Sequence, residues 1–238
     1  MSNHIGNMNV VIPLTKSKTD FLDLRYVLRA IERHGQNVGE IFIIGERPQW
    51  IKNVKHIQQE DNPRKEWKER NIYLKAKAAF DFTDRYLFMN DDHVLLADTD
   101  LENYPNYYKG TCYQSMLKNS SHYRQTMNQT KKWLDFNHYQ DRSFDGHCPL
   151  IMEKRRFLST MQRADWTQEF GYGMKSLYCA GLEGEYMLDG KISTRVGLAK
   201  AKQACSGRHV ISFTDAALLS GLGEHFADIF KEKSRYEI

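Results

Sequence analysis

The sequence predicts an α/β protein, a mixed sheet with helices on both faces folded as one globular unit. Three observations lead there. Short runs rich in β-branched and aromatic residues, VVIPL (10–14), EIFIIGE (40–46), NVKHI (53–57) and YLFMN (86–90), read as buried strands. Two stretches of helical spacing lie between them. The resulting β-α-β-β-α-β order is the one in which helices cross over to cover a sheet of neighbouring strands.

Taken in order, the first strand, VVIPL, is stopped by Pro13. In TDFLDLRYVLRAIERHG (19–35), Phe21, Leu24, Leu28 and Ile31 share one helical face, Arg25 and Arg29 lie one turn apart on another, and Gly35 is placed to cap the C-terminus. The second strand ends at Gly45, and NVKHI is a weaker third. Asn62 before Pro63 is a helix start, predicting a helix to about Phe80 that carries Arg64, Lys65, Lys68, Arg70, Lys75 and Lys77. YLFMN supplies the fourth strand. Beyond residue 100 the periodicity fades, and residues 104–144 are crowded with Tyr, His, Asn and Gln. YRQTMNQTKKWL (123–134), RRFLSTMQRAD (155–165) and TDAALLSGLGEHFADIF (214–230) read as helical, with Thr214 or Asp215 as an N-cap, and KISTRV (191–196) and HVISF (209–213) as strands. The chain is therefore read as a nucleotide-binding half, 1–100, and an acceptor-binding half, 101–238, of the same globular unit.

The 238 residues are 41% hydrophobic and 27% charged, ordinary values for a water-soluble domain. No run approaches the roughly 20 apolar residues of a membrane span. MSNHIGNMNVV has neither a basic nor a long apolar region, so no signal peptide and a cytoplasmic location are expected. Cys112, Cys148, Cys179 and Cys205 are dispersed, which favours free thiols over disulfides or zinc. Nothing in the sequence speaks to oligomeric state. The net charge of +4 is mild, but its basic residues cluster, as in PRKEWKER (63–70), EKRR (153–156) and KAKQACSGR (200–208). Such clusters suit a phosphate-bearing ligand, either a nucleotide or a nucleic-acid backbone.

YLFMNDDHVLLA (86–97) is the most informative stretch. Asn90, Asp91 and Asp92 follow a strand at the end where open α/β sheets bind ligands. Adjacent carboxylates resist desolvation unless a proton or cation compensates them, and a divalent metal (Mg²⁺ or Mn²⁺) does so. Asn-Asp-Asp is also good turn chemistry, and both readings stand. RSFDGHCPL (142–150) is the second concentration. Gly146 lets the chain turn tightly, so that Asp145 and His147 can face one cleft. Asp145 is expected to accept the proton of an attacking hydroxyl, with Glu183, Glu185 and Asp189 as rivals. His209, with Arg208, is within reach of a phosphate-binding or a purely structural role.

YLFMNDDHVLLA resembles the short acidic motif of nucleotide-sugar transferases of the GT-A fold. DLRYVLRAIERH (23–34), VGEIFIIGERPQWIKNVKHI (38–57) and HCPLIMEKRRF (147–157) resemble the corresponding segments of Stealth-type capsular polysaccharide transferases and related phage and bacterial glycosyltransferases, and KEKSRYEI (231–238) looks like an ending of the phage-type group. The likeness covers about two thirds of the chain. It implies a GT-A-like sheet in which Asp92, then Asp91, hold the metal with Asn90 nearby and His147 completing the shell, His93 staying outside it. It also implies that Pro13, Leu14 and Thr15 cradle the nucleobase and ribose, that Glu46 contacts the base or ribose, and that Arg70, Asn71 and Lys75 face the nucleotide. Arg25 either contacts the nucleotide or forms a structural ion pair. The implied activity is a metal-dependent glycosyltransferase acting from a nucleotide-sugar donor. The acceptor would be a hydroxymethylated base in phage DNA, made in the host cytoplasm, or else a glycan or small molecule. Sugar-1-phosphate transfer of the Stealth type is the alternative, although VVIPLTKSK lacks the TWVDGSD-like phrase of those enzymes. A non-catalytic nucleic-acid or carbohydrate-binding protein is the third reading.

Overall fold

The structure, a computed structural model, describes residues 7–118, 121–188 and 190–238. Its first part runs β1 (Met8–Leu14), α1 (Leu22–His34), β2 (Gly35–Gln36), β3 (Val38–Gly45), β4 (Lys55–Ile57), a 3₁₀ turn (Lys65–Trp67), α2 (Lys68–Ala79), β5 (Arg85–Phe88), β6 (Val94–Leu95) and β7 (Thr99–Asp100). There follow β8 (Tyr107–Tyr108), α3 (Cys112–Lys118), α4 (Ser121–Phe136), β9 (Leu150–Glu153), α5 (Lys154–Met161), α6 (Met174–Tyr178) and β10 (Glu185–Tyr186). The chain ends with β11 (Lys191–Ile192), α7 (Leu198–Cys205), β12 (Val210–Phe213), α8 (Asp215–Leu218) and α9 (Gly221–Ile229).

The central sheet has the order β4-β3-β1-β5-β9. All neighbours are parallel except β9, which joins antiparallel to β5 from the second half of the chain. The alternation of strand side chains divides the interior in two. Val10, Ile12, Leu14, Ile41, Ile43 and Leu87 pack with α1 and with Ile211, Leu222 and Phe226 on one face. Val11, Phe42, Ile44, Tyr86, Phe88 and Met152 pack on the other with Ala76, Phe80, Phe157 and Leu177. The result is an α/β fold with helices on both faces. A smaller sheet, β11-β12-β6, pairs the segment after β5 with the C-terminal part of the chain.

Several expectations are corrected. The basic helix starts at Lys68, not at Pro63, because Asn62 Oδ1 accepts the Arg64 N–H (3.1 Å) and closes a local turn there. Gly35 does cap α1 as expected, its N–H bonded to the Ile31 carbonyl, and passes in an extended conformation directly into β2. The helix predicted over 214–230 is two helices, broken at Leu219–Ser220. KISTRV contributes only the two residues of β11. The four cysteines are buried free thiols. No described helix is long and apolar enough to cross a membrane.

Arg25 is also corrected, toward its structural alternative. Its guanidinium lies 4.0 Å over the Trp50 ring and donates to Glu237 (3.1 Å), which Arg29 grips through two nitrogens (both 2.8 Å). The C-terminal segment is tied down beside this pair by backbone bonds from Lys52 to Tyr236 and from Ile238 to Trp50 (both 2.9 Å). Burial pushes the Glu237 carboxyl up, but the Arg29 hydrogen bond, the Ser234 N–H and the neighbouring arginines outweigh it and hold the group at about 2.

Candidate functional site

In the central sheet β1 is followed outward by β3 and β4 on one side, while β5 and β9 lie on the other. The chain therefore changes its direction of sheet growth between β1 and β5, and the carboxyl ends of those two strands flank a crevice of the kind that binds ligands in open α/β sheets. The NDD segment sits there, immediately after β5. It forms a turn as well, for the His93 N–H donates to the Asn90 carbonyl (3.1 Å) and the Asn90 N–H to His93 Nδ1 (3.2 Å). The two sequence readings are thus compatible: the turn presents the carboxylates.

Asp92 is held from one side only. Its Oδ2 accepts from Ser212 Oγ of β12 (2.7 Å) and from Lys191 Nζ of β11 (3.4 Å). Its Oδ1 is buried with no hydrogen-bond partner. The nearest donor is His93 Nε2 at 3.7 Å, too far for a hydrogen bond, and that nitrogen is itself buried and unpartnered. Because Nδ1 of His93 accepts a backbone N–H, the neutral ring carries its proton on Nε2. Burial, with Lys175 and Lys191 adding to it, keeps His93 uncharged.

Asp92 does not stand alone. Desolvation, then the charges of Asp23 and Asp92, push the Asp91 carboxyl well above the usual range. Asp23, in the first turn of α1, is moved up to about 6 by burial and by the charges of Asp215 and Asp92. Four carboxylates from α1, the β5–β6 turn and the start of α8 therefore bear on one another in this crevice. Of the partners expected, His147 acts on the same place: burial and the charges of Lys191 and Lys109 lower it to about 2, with Asp92 opposing them.

Lys75 closes the floor. It is 3% exposed and its Nζ donates to the Leu14 carbonyl at the end of β1 (2.6 Å) and to Asp61 (2.8 Å). Gly45, at the end of β3 with φ +118°, makes room for it, since a Cβ there would lie 2.0 Å from the Leu14 oxygen and 3.0 Å from Lys75 Nζ.

The remaining expected residues separate into those near the crevice and those with other work. Pro13 and the exposed Thr15 lie at the end of β1, whereas the Leu14 side chain is fully buried in the core and its carbonyl is taken by Lys75 and the Glu46 N–H. The Glu46 side chain is exposed just beyond β3. Arg70 stacks 4.0 Å over the Trp67 ring. Asn71 is corrected: its amide exchanges hydrogen bonds with the Asn62 backbone (3.1 and 2.9 Å) and clasps the loop before α2. Asp145 is corrected too, because both its oxygens are occupied. They accept the N–H groups of Lys175 (3.3 Å) and Ser176 (3.2 Å) and the Ser176 hydroxyl, so that it caps α6 rather than standing ready for a proton. Glu183 is exposed and pairs with Arg142 (3.5 Å), Glu185 is exposed on β10, and Asp189 lies outside the described residues.

Sequence reasoning missed Asp23, Lys191, Ser212, Asp215, Lys175 and Glu69. Lys175 is buried and bonded to the carbonyls of Gly146 (3.0 Å) and Cys148 (2.7 Å), next to the segment that carries His147. Glu69, in the first turn of α2, is raised to about 7 by desolvation, with Lys68 and Lys175 pulling it down and Asp145 pushing it up. Only Asp23 carried a usable signal, as the acidic first-turn residue inside DLRYVLRAIERH.

Among the described residues, no group of three or more His, Cys, Asp or Glu side chains is arranged to hold a metal by itself. A hard cation such as Mg²⁺ commonly takes one or two carboxylates and leaves its other positions to water and substrate phosphate. The orphaned Asp92 Oδ1 and the raised Asp91 carboxyl fit that partial donor set. Two cavities lie elsewhere: one of about 250 Å³ lined by residues including Tyr139, Arg142 and Phe144, and one of about 470 Å³ between β6, α7 and α9. No family model and no curated protein matches the chain.

Proposed function

We propose that this protein is a divalent-cation-dependent glycosyltransferase of GT-A-like design, moving a sugar from a nucleotide-sugar donor to a hydroxyl acceptor. The observation that carries the reading is the pair of raised carboxyls, Asp91 and Asp23, beside Asp92 at the β1/β5 switch point, with one Asp92 oxygen buried and unsatisfied. Such a site is costly in an isolated protein and is relieved when a cation arrives with a diphosphate. The bound cation would supply charge neutralisation for the departing diphosphate. Asp92 and Asp91 would hold it, with Ser212 and Lys191 fixing the orientation of Asp92 through its other oxygen. His147, kept neutral, is in the protonation state a metal ligand needs. Lys75 ties the ends of β1 and α2 together, and Arg70 offers a guanidinium to the nucleotide.

In the transfer, the acceptor oxygen forms a bond to the anomeric carbon as the bond from that carbon to the diphosphate breaks. The hydroxyl proton passes to a carboxylate, and a nucleoside diphosphate leaves. With Asp145 committed to capping α6, Glu69 is the carboxylate poised nearest neutrality, where a general base works best. A hydroxymethylated base in DNA, a glycan and a small molecule all remain acceptors compatible with this chemistry.

The test is product analysis after incubation with a panel of nucleotide sugars and Mn²⁺. Release of a nucleoside diphosphate supports the proposal, and release of a monophosphate would mean sugar-1-phosphate transfer instead. Salt-sensitive binding of DNA or glycan without turnover of any donor would make the protein a binding module and end the enzymatic reading.

A further inference from the structure

The concavity of about 470 Å³ lies at the far end of the β6–β12 ladder from the carboxylates. Val210 pairs with Leu95 and Ile211 with Val94, so the two strands carry the chain from Asp92 and Ser212 at one end to Leu96 and His209 at the other. Ser212 and His209 are three positions apart along the chain, roughly 10 Å. This cavity is not an extension of the crevice.

Its lining is one-signed. Lys202 comes from α7, Arg208 and His209 from the loop after it, and His225 from α9, over a floor that includes Leu96 and Ile229. Among the described residues, no carboxylate lines it. Most arginines of this protein are engaged, as Arg25, Arg29, Arg64 and Arg156 are, by carboxylates or carbonyls. The side chains of Lys202 and Arg208, by contrast, have no hydrogen bond or ion pair with any described residue; only their backbones are bonded, to Ser206 and Cys205. The nearest carboxylate that bears on His225 is Asp228, and it pairs with Lys231 (3.3 Å). Gly190 gives the Arg208 guanidinium its seat: a Cβ there would fall 2.7 Å from one of its nitrogens. At the back of the set, His225 Nδ1 is buried and has no hydrogen-bond partner. Converging unpaired cations around an unsatisfied polar atom are the reverse of what stability alone selects, since like charges repel and a buried polar atom without a partner costs free energy.

We propose that this cavity is a second ligand site, for a small phosphomonoester. Its charge calls for a compact anion, its volume exceeds that of phosphate alone, and its apolar floor suits the organic part of the molecule. Lys202 and Arg208 bind the phosphate oxygens, and His225 Nδ1 meets the ligand inside. The basic and polar side chains converge on a recess from two helices and a loop and do not run along a stripe, which favours a small molecule over the backbone of a nucleic acid.

Thermal unfolding and titration calorimetry with inorganic phosphate and with glucose 6-phosphate test the site, with glucose and NaCl of equal ionic strength as controls. The expected result is saturable stabilisation by both phosphates, in the range of about 0.1–1 mM, and none by glucose. The Lys202→Gln/Arg208→Gln double substitution, on exposed side chains, should weaken binding at least about tenfold. Asp92→Asn should leave it unchanged, which separates this site from the proposed donor site. Three results would overturn the proposal: no response beyond that to NaCl, an equal response in the double variant, or tighter binding of a DNA oligonucleotide that carries only phosphodiesters.

Discussion

Lys75 shows how one side chain can hold the functional edge of a sheet. It reaches from α2 to the end of β1 with its ammonium almost out of water, and its two bonds join the strand end to the Asp61 loop. Lys75→Met keeps the apolar stem but leaves the Leu14 carbonyl and Asp61 without their donor, at a cost of about 2–4 kcal/mol. For a chain of this length that lowers Tm by roughly 5–10 °C, measurable by calorimetry. Glu69→Gln should act differently. It should reduce turnover about 10²–10⁴-fold while donor-dependent stabilisation persists, whereas unchanged turnover would remove Glu69 from the reaction. The sequence made Asp91 and Asp92 legible, because two adjacent acids in an apolar run have few explanations. It did not reveal Lys191 or Ser212, which reach Asp92 from 99 and 120 residues away with no local pattern to announce them. Asp145 was misread for a related reason. Its proximity to a glycine and a histidine was visible, but the helix it caps begins some thirty residues later.

Among the elements, the regular ones were the legible ones. The structure places β1, β3, β4, β5, α1, α4 and α5 close to where the patterns put them, whereas β9, the fifth strand of the central sheet, was not anticipated. The failures sit at boundaries and in short pieces: local turn bonding at Asn62 delays α2, and α3, α6 and α7 are too short to establish a period. The docking of the C-terminal segment on α1 was invisible as well, since Arg25 read equally as a nucleotide contact and as an ion-pair partner, and nothing marked Glu237 as that partner. That contact has a measurable consequence. The Glu237 carboxyl is held at about 2, below its ordinary 4.5. Its contribution to stability is therefore complete above about pH 4.5 and is lost as the pH falls toward about 2, a span worth on the order of 3 kcal/mol. Glu237→Gln should lower Tm at neutral pH and flatten the acid limb of the Tm profile over that window. Parallel acid limbs in the two proteins would show that the ion pair contributes nothing there.

At the scale of the whole molecule, two apolar layers enclose a sheet built from both halves of the chain, and the carboxylates lie at the edge where β1 and β5 end. The second half closes that edge through His147, Lys191 and Ser212, so the carboxylates of the first half are positioned by residues the folded chain brings back to them. The same β6–β12 ladder that delivers Ser212 to Asp92 carries the basic cavity at its other end. The proposed function requires the carboxylate crevice to accept a divalent cation together with a nucleotide diphosphate. It is tested most directly by thermal stabilisation of the wild type and of Asp92→Asn with Mn²⁺ and each of a panel of nucleotide sugars. The account predicts that one nucleotide sugar with Mn²⁺ raises Tm of the wild type by several degrees, the mass-action signature of binding to the folded state, and that the shift vanishes in Asp92→Asn or when Mn²⁺ is omitted. Absence of a shift with every donor, or an equal shift in Asp92→Asn with metal present, would contradict it.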